Sequence, residues 1–301
     1  MRYCGRDFST SEIERIRTLI SENPEFNRAE LSRQVCELLN WRRLDGRLKD
    51  MSCRVAMLRM QDDRLLQLPA PQKRNGNGKA YHRRTHLAEP QPLIQASSPK
   101  ALGELQLSSI SKRSDLHLWN EYIDRYHYLG YQPLPGAQLR YFAKTNDRIV
   151  ALLGFGAAAW KTAPRDRFIG WKKEQRELKL HFVINNARFL ILPWVHCRNL
   201  ASLLLGMATR RITVDWQRSY GYCPVLVETF VEIPRFKGTC YKAANWIHLG
   251  VTQGRGMLDV QHNARLPKKS ILIYPLVKNF RRKLCLKFHR QQSSQLIFID
   301  S

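Results

Sequence analysis

FSTSEIERIRTLISENPEFNRAELSRQVCELL, residues 8–39, writes the same helix-starting device twice. Ser9 stands as an N-cap with Glu12 three residues on, a capping box in which hydroxyl and carboxylate satisfy the free amides of a first turn. Phe8 and Ile13 flank it as a hydrophobic staple, and Ile13, Ile16, Leu19 and Ile20 share one face until Pro24 ends the segment. Asn27 and Glu30 repeat the box, Phe26 and Leu31 repeat the staple, and Leu31, Val35, Leu38 and Leu39 form the next apolar face. The spacing predicts two short, well-bounded helices.

Working outward, Asp45-Gly46 marks a turn, and a third helix is predicted from about Asp50 to Asp62. Met51, Val55 and Leu58 are expected to face inward, with Lys49, Arg54 and Arg59 projecting elsewhere. Leu65–Leu68, ahead of Pro69, reads as a short strand. Helix, helix, basic helix, strand is the order of a winged helix, whose third helix enters the major groove. Arg47, Lys49, Arg54 and Arg59 are then the candidates for base edges and phosphates. The same three helices also suit a protein-interaction module with solvated charges.

Fifty Lys and Arg against twenty-five Asp and Glu give a formal net charge of +25, which draws polyanions and favours binding to a phosphate backbone. DNA is the expected partner, double-stranded first, with single strands as the alternative. No run of 18 apolar residues and no N-terminal apolar signal is present, so a cytoplasmic protein off the membrane is expected. The seven cysteines are widely spaced without a C-x-x-C pair, which supports neither a disulfide framework nor a zinc site. No metal is expected, and no cofactor is specified.

The chain divides on composition. Residues 1–69 form the helical module, and residues 70–115 a Pro/Gly/Ser-rich linker. Lys73, Arg74, Arg83 and Arg84 make that linker basic, and it either tracks a backbone or serves as a solvated tether. Residues 116–276 alternate strand-like and helix-like runs, an α+β or α/β pattern, and 277–301 are a basic tail. Leu139–Ala143 and Ile149–Phe155 predict a hairpin around Asn146-Asp147. Further strands are expected at Leu178–Val183, Ala187–Leu192, Val225–Phe230 and Ile271–Tyr274. Helices are expected at Leu200–Ile212 and Tyr241–His248, the first burying Leu200, Leu203, Leu204, Met207 and Ala208.

This element order resembles the GNAT acyltransferase topology. That resemblance implies an acyl-CoA site at Arg198-Asn199-Leu200-Ala201-Ser202-Leu203, where Ala201 and Leu203 replace the glycines that let a backbone approach pyrophosphate. Longer strings resemble the Druantia anti-phage protein DruA family and its stand-alone, transposase-associated relatives. They include Leu31-Ser32-Arg33-Gln34-Val35-Cys36, Asn40-Trp41-Arg42-Arg43, Gly46-Arg47-Leu48-Lys49-Asp50-Met51, His127-Tyr128-Leu129-Gly130 and Gly238-Thr239-Cys240-Tyr241-Lys242-Ala243-Ala244-Asn245-Trp246. Spread over about residues 5 to 276, they imply a role in phage defence or mobile-element biology, alongside other defence-system proteins, and carry no catalytic residue with them.

Chemistry gathers at His127 with Tyr128, Lys179 with His181, Glu228, Tyr241 and Asn245. Glu228 sits in an apolar strand, so it either faces a polar cleft as base, with His127 and Tyr241 as catalytic partners, or is a buried carboxylate paired with Arg188 or Lys242. Gly254-Arg255-Gly256 is either a cationic turn that places Arg255 on nucleic acid or an ordinary tight turn. Trp171, followed by Lys172 and Lys173, is the tryptophan singled out as a stacking platform. Two enzymatic alternatives stay open. One is a metal-dependent transposase or nuclease drawing on Asp215, Glu228, Glu232 and Asp259, and the other is a Mom-like GNAT enzyme modifying nucleobases.

Overall fold

The computed structural model describes residues 1–43, 46–72, 84–254 and 266–286. Two compact units emerge: Met1–Glu89 with Lys112–Gln132 and Val214–Cys223, and Pro90–Ser111 with Pro133–Thr213 and Pro224–Ser301. In chain order the elements begin β1 (Arg2–Tyr3), β2 (Arg6–Asp7), α1 (Thr10–Glu22), α2 (Arg28–Leu38), α3 (Asp50–Asp62), β3 (Ile94–Ala96) and β4 (Leu105–Ser109). Then come α4 (Arg113–Tyr126), β5 (Leu139–Thr145), β6 (Arg148–Ala157), α5 (Ala163–Ile169), α6 (Lys173–Lys179), β7 (Val183–Ile191) and β8 (Val195–Cys197). The last are α7 (Leu200–Tyr220), β9 (Leu226–Glu232), α8 (Thr239–Ala243), β10 (Ile247–Val251), β11 (Lys269–Pro275) and α9 (Phe280–Cys285).

In the smaller unit both capping boxes form. Ser9 Oγ accepts from the Glu12 amide at 3.1 Å while Glu12 Oε2 accepts from the Ser9 amide at 3.0 Å. Asn27 Oδ1 accepts from Ala29 and Glu30, and Glu30 Oε2 returns the bond to Asn27. Phe8, Ile13, Ile16, Leu31 and Val35 pack into one core with Cys36 and Trp41. The third helix falls where expected and Leu58 packs on the core, but the rest of its inward face differs. Cys53, Ala56, Met57 and Met60 are buried, whereas Met51 is 56% exposed and Val55 39%. Two apolar stripes lie side by side on α3, and the one with small Cys53 and Ala56 permits the closer approach to α2.

Leu65–Leu68 is a second correction, because no strand forms there. Leu66 and Leu68 are buried, but the segment's backbone bonds go elsewhere: Leu65 N–H donates to Met60 O, Arg17 Nε to Leu65 O, Leu68 N–H to Gln61 Oε1, and Arg28 Nε to Pro69 O. Among the described residues, the strands of this unit are instead the β1–β2 hairpin.

Arg6 reaches from β2 to Glu12, with Nη2 at 2.6 Å from Oε1, and holds that carboxyl below its ordinary value. A lowered carboxylate pKa contributes stability that is present above the unfolded value and is lost as pH falls through the folded one. Arg6→Gln is therefore expected to be less stable than the parent at neutral pH, with the deficit disappearing in acid. Denaturation across a pH series checks this, and a deficit that persists unchanged in acid would contradict it.

Among the described residues, the larger unit is built on a seven-stranded sheet of order β10-β11-β9-β7-β6-β5-β4, antiparallel except where β7 runs alongside β9. The predicted hairpin is β5–β6, closed at Thr145↔Arg148, with Asn146 and Asp147 at φ of 45° and 61° as a two-residue turn of this hand requires. β7 pairs with β9 only over Val183–Asn185, so the two strands part beyond that point.

Several expected boundaries move. Residues 178–182 are helical, since Gln175 accepts from the Lys172 amide and α6 is rich in strong helix formers; the strand starts at Val183. The helix after Gly238 ends at Ala243 because Asn245 adopts a left-handed φ of 62°, and β10 follows. α7 continues to Tyr220, and Leu205 and Ile212 join its buried residues while Leu203 is exposed and Met207 half-buried. The expected linker carries β3, paired with β8, and β4, the sheet edge. The expected tail begins with α9, whose Phe280 and Leu284 pack with Ile169 and Trp171.

Candidate nucleic-acid interface

α3 presents Met51, Val55 and Arg59 to solvent at a four-residue spacing, one stripe along the helix. The described parts of the loop, residues 39–43 and 46–49, lead into it. Arg42 bridges Leu48, the Arg43 amide donates to Arg47 O at 2.7 Å, and Gly46 takes the left-handed φ of 78° that the turn needs. Arg42, Arg43 and Arg47 are exposed around this loop. Arg42 donates to Asn40 Oδ1 and Gly46 O, and Arg47 Nη2 donates to Ser219 O at 3.2 Å. Their stems are thus oriented while their charge stays at the surface.

Of the residues expected to meet DNA, Arg47 and Arg59 lie on this exposed surface. Lys49 is half-buried, and desolvation followed by Arg43 pushes its ammonium below the usual range. Arg54 is also half-buried and sits 3.9 Å from Asp50 one turn away. Arg84 pairs with Asp124 at 2.8 Å. Lys73, Arg74, Arg83 and Arg255 lie outside the described residues. Sequence reasoning missed Arg42 and Arg43 as surface cations and misassigned Met51 and Val55; the adjacent pair of arginines was the available signal.

The candidate catalytic residues take different places. His127 is the C-cap of α4 in the smaller unit, its Nδ1 accepting from the Leu129 amide, whereas Glu228 and Tyr241 lie on β9 and α8 of the larger. Glu228 is fully buried. Its Oε2 meets Arg165 Nη1 at 3.0 Å and its Oε1 accepts from the Ala159 amide at 2.7 Å, so the partner is Arg165 and neither Arg188 nor Lys242. Arg165 is itself fully buried and also donates to Ala159 O and to Asp166 Oδ1, which takes the Trp171 indole N–H as well. Burial pushes the Glu228 carboxyl up, opposed by Arg165 and the Ala159 amide. Trp171 is therefore part of the interior and no stacking platform.

Tyr241 is buried where β7 and β9 part, its hydroxyl donating to Asn186 Oδ1 at 2.7 Å. Lys179 donates its buried ammonium to Lys283 O and Leu286 O, fastening α9, and burial lowers its pKa. Glu232 is engaged by Arg235, and Asp259 lies outside the described residues. Among the described residues no group of three His, Cys, Asp or Glu side chains is placed to hold a metal ion, and no helix is long and apolar enough to cross a membrane.

Fold and surface together define a chain with a helical module, which exposes arginines beside its third helix, and a mixed α/β unit. A family model for Druantia protein DruA matches residues 59–266, and the chain belongs to that family, a component of the Druantia anti-phage system. No curated protein matches the sequence. Among solved structures, the polyamine N-acetyltransferase of Drosophila melanogaster aligns at 12% identity and a TM-score of 0.38, over 57% of this chain and 100% of its own. A GNAT-family acetyltransferase from Streptococcus pneumoniae aligns at 12% identity and TM-score 0.37, over 57% and 99%. The ribosomal-protein-S18-alanine N-acetyltransferase of Escherichia coli gives 8% and 0.35, over 63% and 100%. No activity is carried over at these scores.

The acyl-CoA group implied by a GNAT-like order does not fit the residues at the start of α7. Ala201 and Leu203 occupy the two glycine positions, and Ser202 gives its hydroxyl to Asn199 O at 3.0 Å. No step through that group is derived.

Proposed function

We propose that this DruA-family chain is the DNA-binding component of its defence system, and that α3 is its recognition helix. The observation that carries the reading is the uncovered face of α3, where Met51, Val55 and Arg59 form a stripe flanked at its N-terminal end by Arg42, Arg43 and Arg47. Apolar and arginine side chains on one face suit base edges and thymine methyl groups in the major groove, while flanking arginines suit phosphates. The N-terminal unit is read as a winged-helix-type module in which β1–β2 supplies the strand pair.

Duplex binding by the full chain, followed over a range of salt concentrations, tests this. Arg43→Ala is expected to weaken binding to all duplexes alike and to lower the slope of log K against log salt by about 0.9, the effect of one lost phosphate contact. Arg59→Ala is expected to cost about 1–3 kcal/mol and to relax sequence preference. Unchanged slope and affinity in both variants would overturn the reading.

A further inference from the structure

Trp160 is 54% exposed, whereas the other six of the chain's seven tryptophans are buried. It lies just after β6 and is held rather than loose. The Arg176 guanidinium stands over its ring at 5.9 Å, and Arg176 is fixed in turn by Asp166 at 3.4 Å, the carboxylate that also binds Arg165 and Trp171. Arg176 is buried, so it occupies the inner face of the indole and leaves the outer face to solvent. The network that encloses Glu228 thus extends to a surface aromatic and gives it a rigid, cationic backing.

The surroundings are basic. Lys161 is the next residue, and Lys172 and Lys173 stand four and three positions before Arg176 at the start of α6, on the same side of that short helix. All three lysines are exposed, with Glu174 the exposed acid among them. A large flat ring with one open face, backed by the Arg176 guanidinium and followed in the chain by exposed lysines, is the arrangement that stacks a nucleobase while lysines meet the adjoining phosphates.

We propose that Trp160 is a stacking platform for an unpaired base, making this surface a single-stranded nucleic-acid contact distinct from the duplex-reading face of α3. A paired base presents only its edge to a protein, so the ring selects for strands that are open. The proposal does not rest on the role of α3, because the two surfaces use different residues and different probes.

The test measures binding of the full chain to a short oligodeoxythymidylate and to a blunt duplex, with Trp160→Ala, Trp160→Phe and the pair Lys172→Ala with Lys173→Ala. Trp160→Ala is expected to lower affinity for the single strand roughly ten-fold while leaving duplex affinity unchanged. Trp160→Phe, which keeps a ring, is expected to retain most of the binding, and the double lysine variant to flatten its salt dependence. In the parent, iodide quenching of the exposed tryptophan is expected to fall when the oligonucleotide is bound. Single-strand affinity unaltered in Trp160→Ala, an equal loss on both probes, or a loss in Trp160→Phe as large as in Trp160→Ala would each overturn the proposal.

Discussion

Arg165→Ala is expected to destabilise the larger unit by about 3–5 kcal/mol, a large share of the 5–15 kcal/mol that holds a typical domain folded. Glu228 and Arg165 are both fully buried, 3.0 Å apart, on β9 and α5. Removing the guanidinium leaves a carboxylate inside the protein that still accepts from the Ala159 amide but has lost its counter-charge, and also strips Asp166 of a partner. The cost is that of an uncompensated buried charge, and its pH dependence has a definite sign. Burial already pushes the Glu228 carboxyl up, and losing Arg165 raises it further. A raised carboxylate pKa gives stability that is present at low pH and lost as pH rises, so the variant's deficit is expected to shrink in acid.

Urea denaturation of parent and variant at several pH values checks both statements, with the midpoint moving and the slope unchanged. Replacing the pair together, Arg165→Met with Glu228→Leu, is expected to recover part of the loss, because exchanging a buried pair for apolar residues is often close to neutral. A cost below about 1 kcal/mol for Arg165→Ala, the range of a surface pair, would show that the pair does not secure α5 to the sheet.

The second large effect is on binding. Val55→Glu is expected to reduce duplex affinity roughly 100-fold or more while leaving the fold intact, since a carboxylate brought against phosphates or base acceptors costs several kcal/mol. Val55 is 39% exposed, so a charge there stays hydrated in the free protein. Val35 supplies the contrast: it is fully buried against the same core, and Val35→Glu is expected to unfold the smaller unit. Far-ultraviolet circular dichroism separates the two cases, and duplex titration at fixed salt reads the first. Val55→Glu binding as the parent does would remove α3 from the interface.

Much of the fold could be read from local chemistry. Ser9, Asn27 and their glutamates set helix starts within a few residues, and Asn146-Asp147 named its hairpin, because those signals depend on neighbours in sequence. What failed depended on partners far along the chain. α3 carries two adjacent apolar stripes, and only α2 decides which is covered. Leu66 and Leu68 alternate as a strand would, yet Gln61, Arg17 and Arg28 take up the neighbouring backbone groups instead. Glu228 was rightly suspect in an apolar strand, but its partner Arg165 lies 63 positions away, so no spacing rule reaches it. The same holds for Trp171 and Trp160. Each is followed by a lysine, and Asp166 with Arg176 decides that one is interior and the other on the surface.

The surface of the protein that meets the duplex can be read directly. A photoreactive side chain placed in the full protein at Met51 or Val55, and for comparison at exposed Leu203 on α7, would be irradiated in the presence of duplex DNA. Strong cross-links to DNA are expected from both α3 positions and weak ones from Leu203. Binding that persists while Met51 and Val55 give no cross-link above Leu203 would contradict the assignment of α3 as the recognition helix.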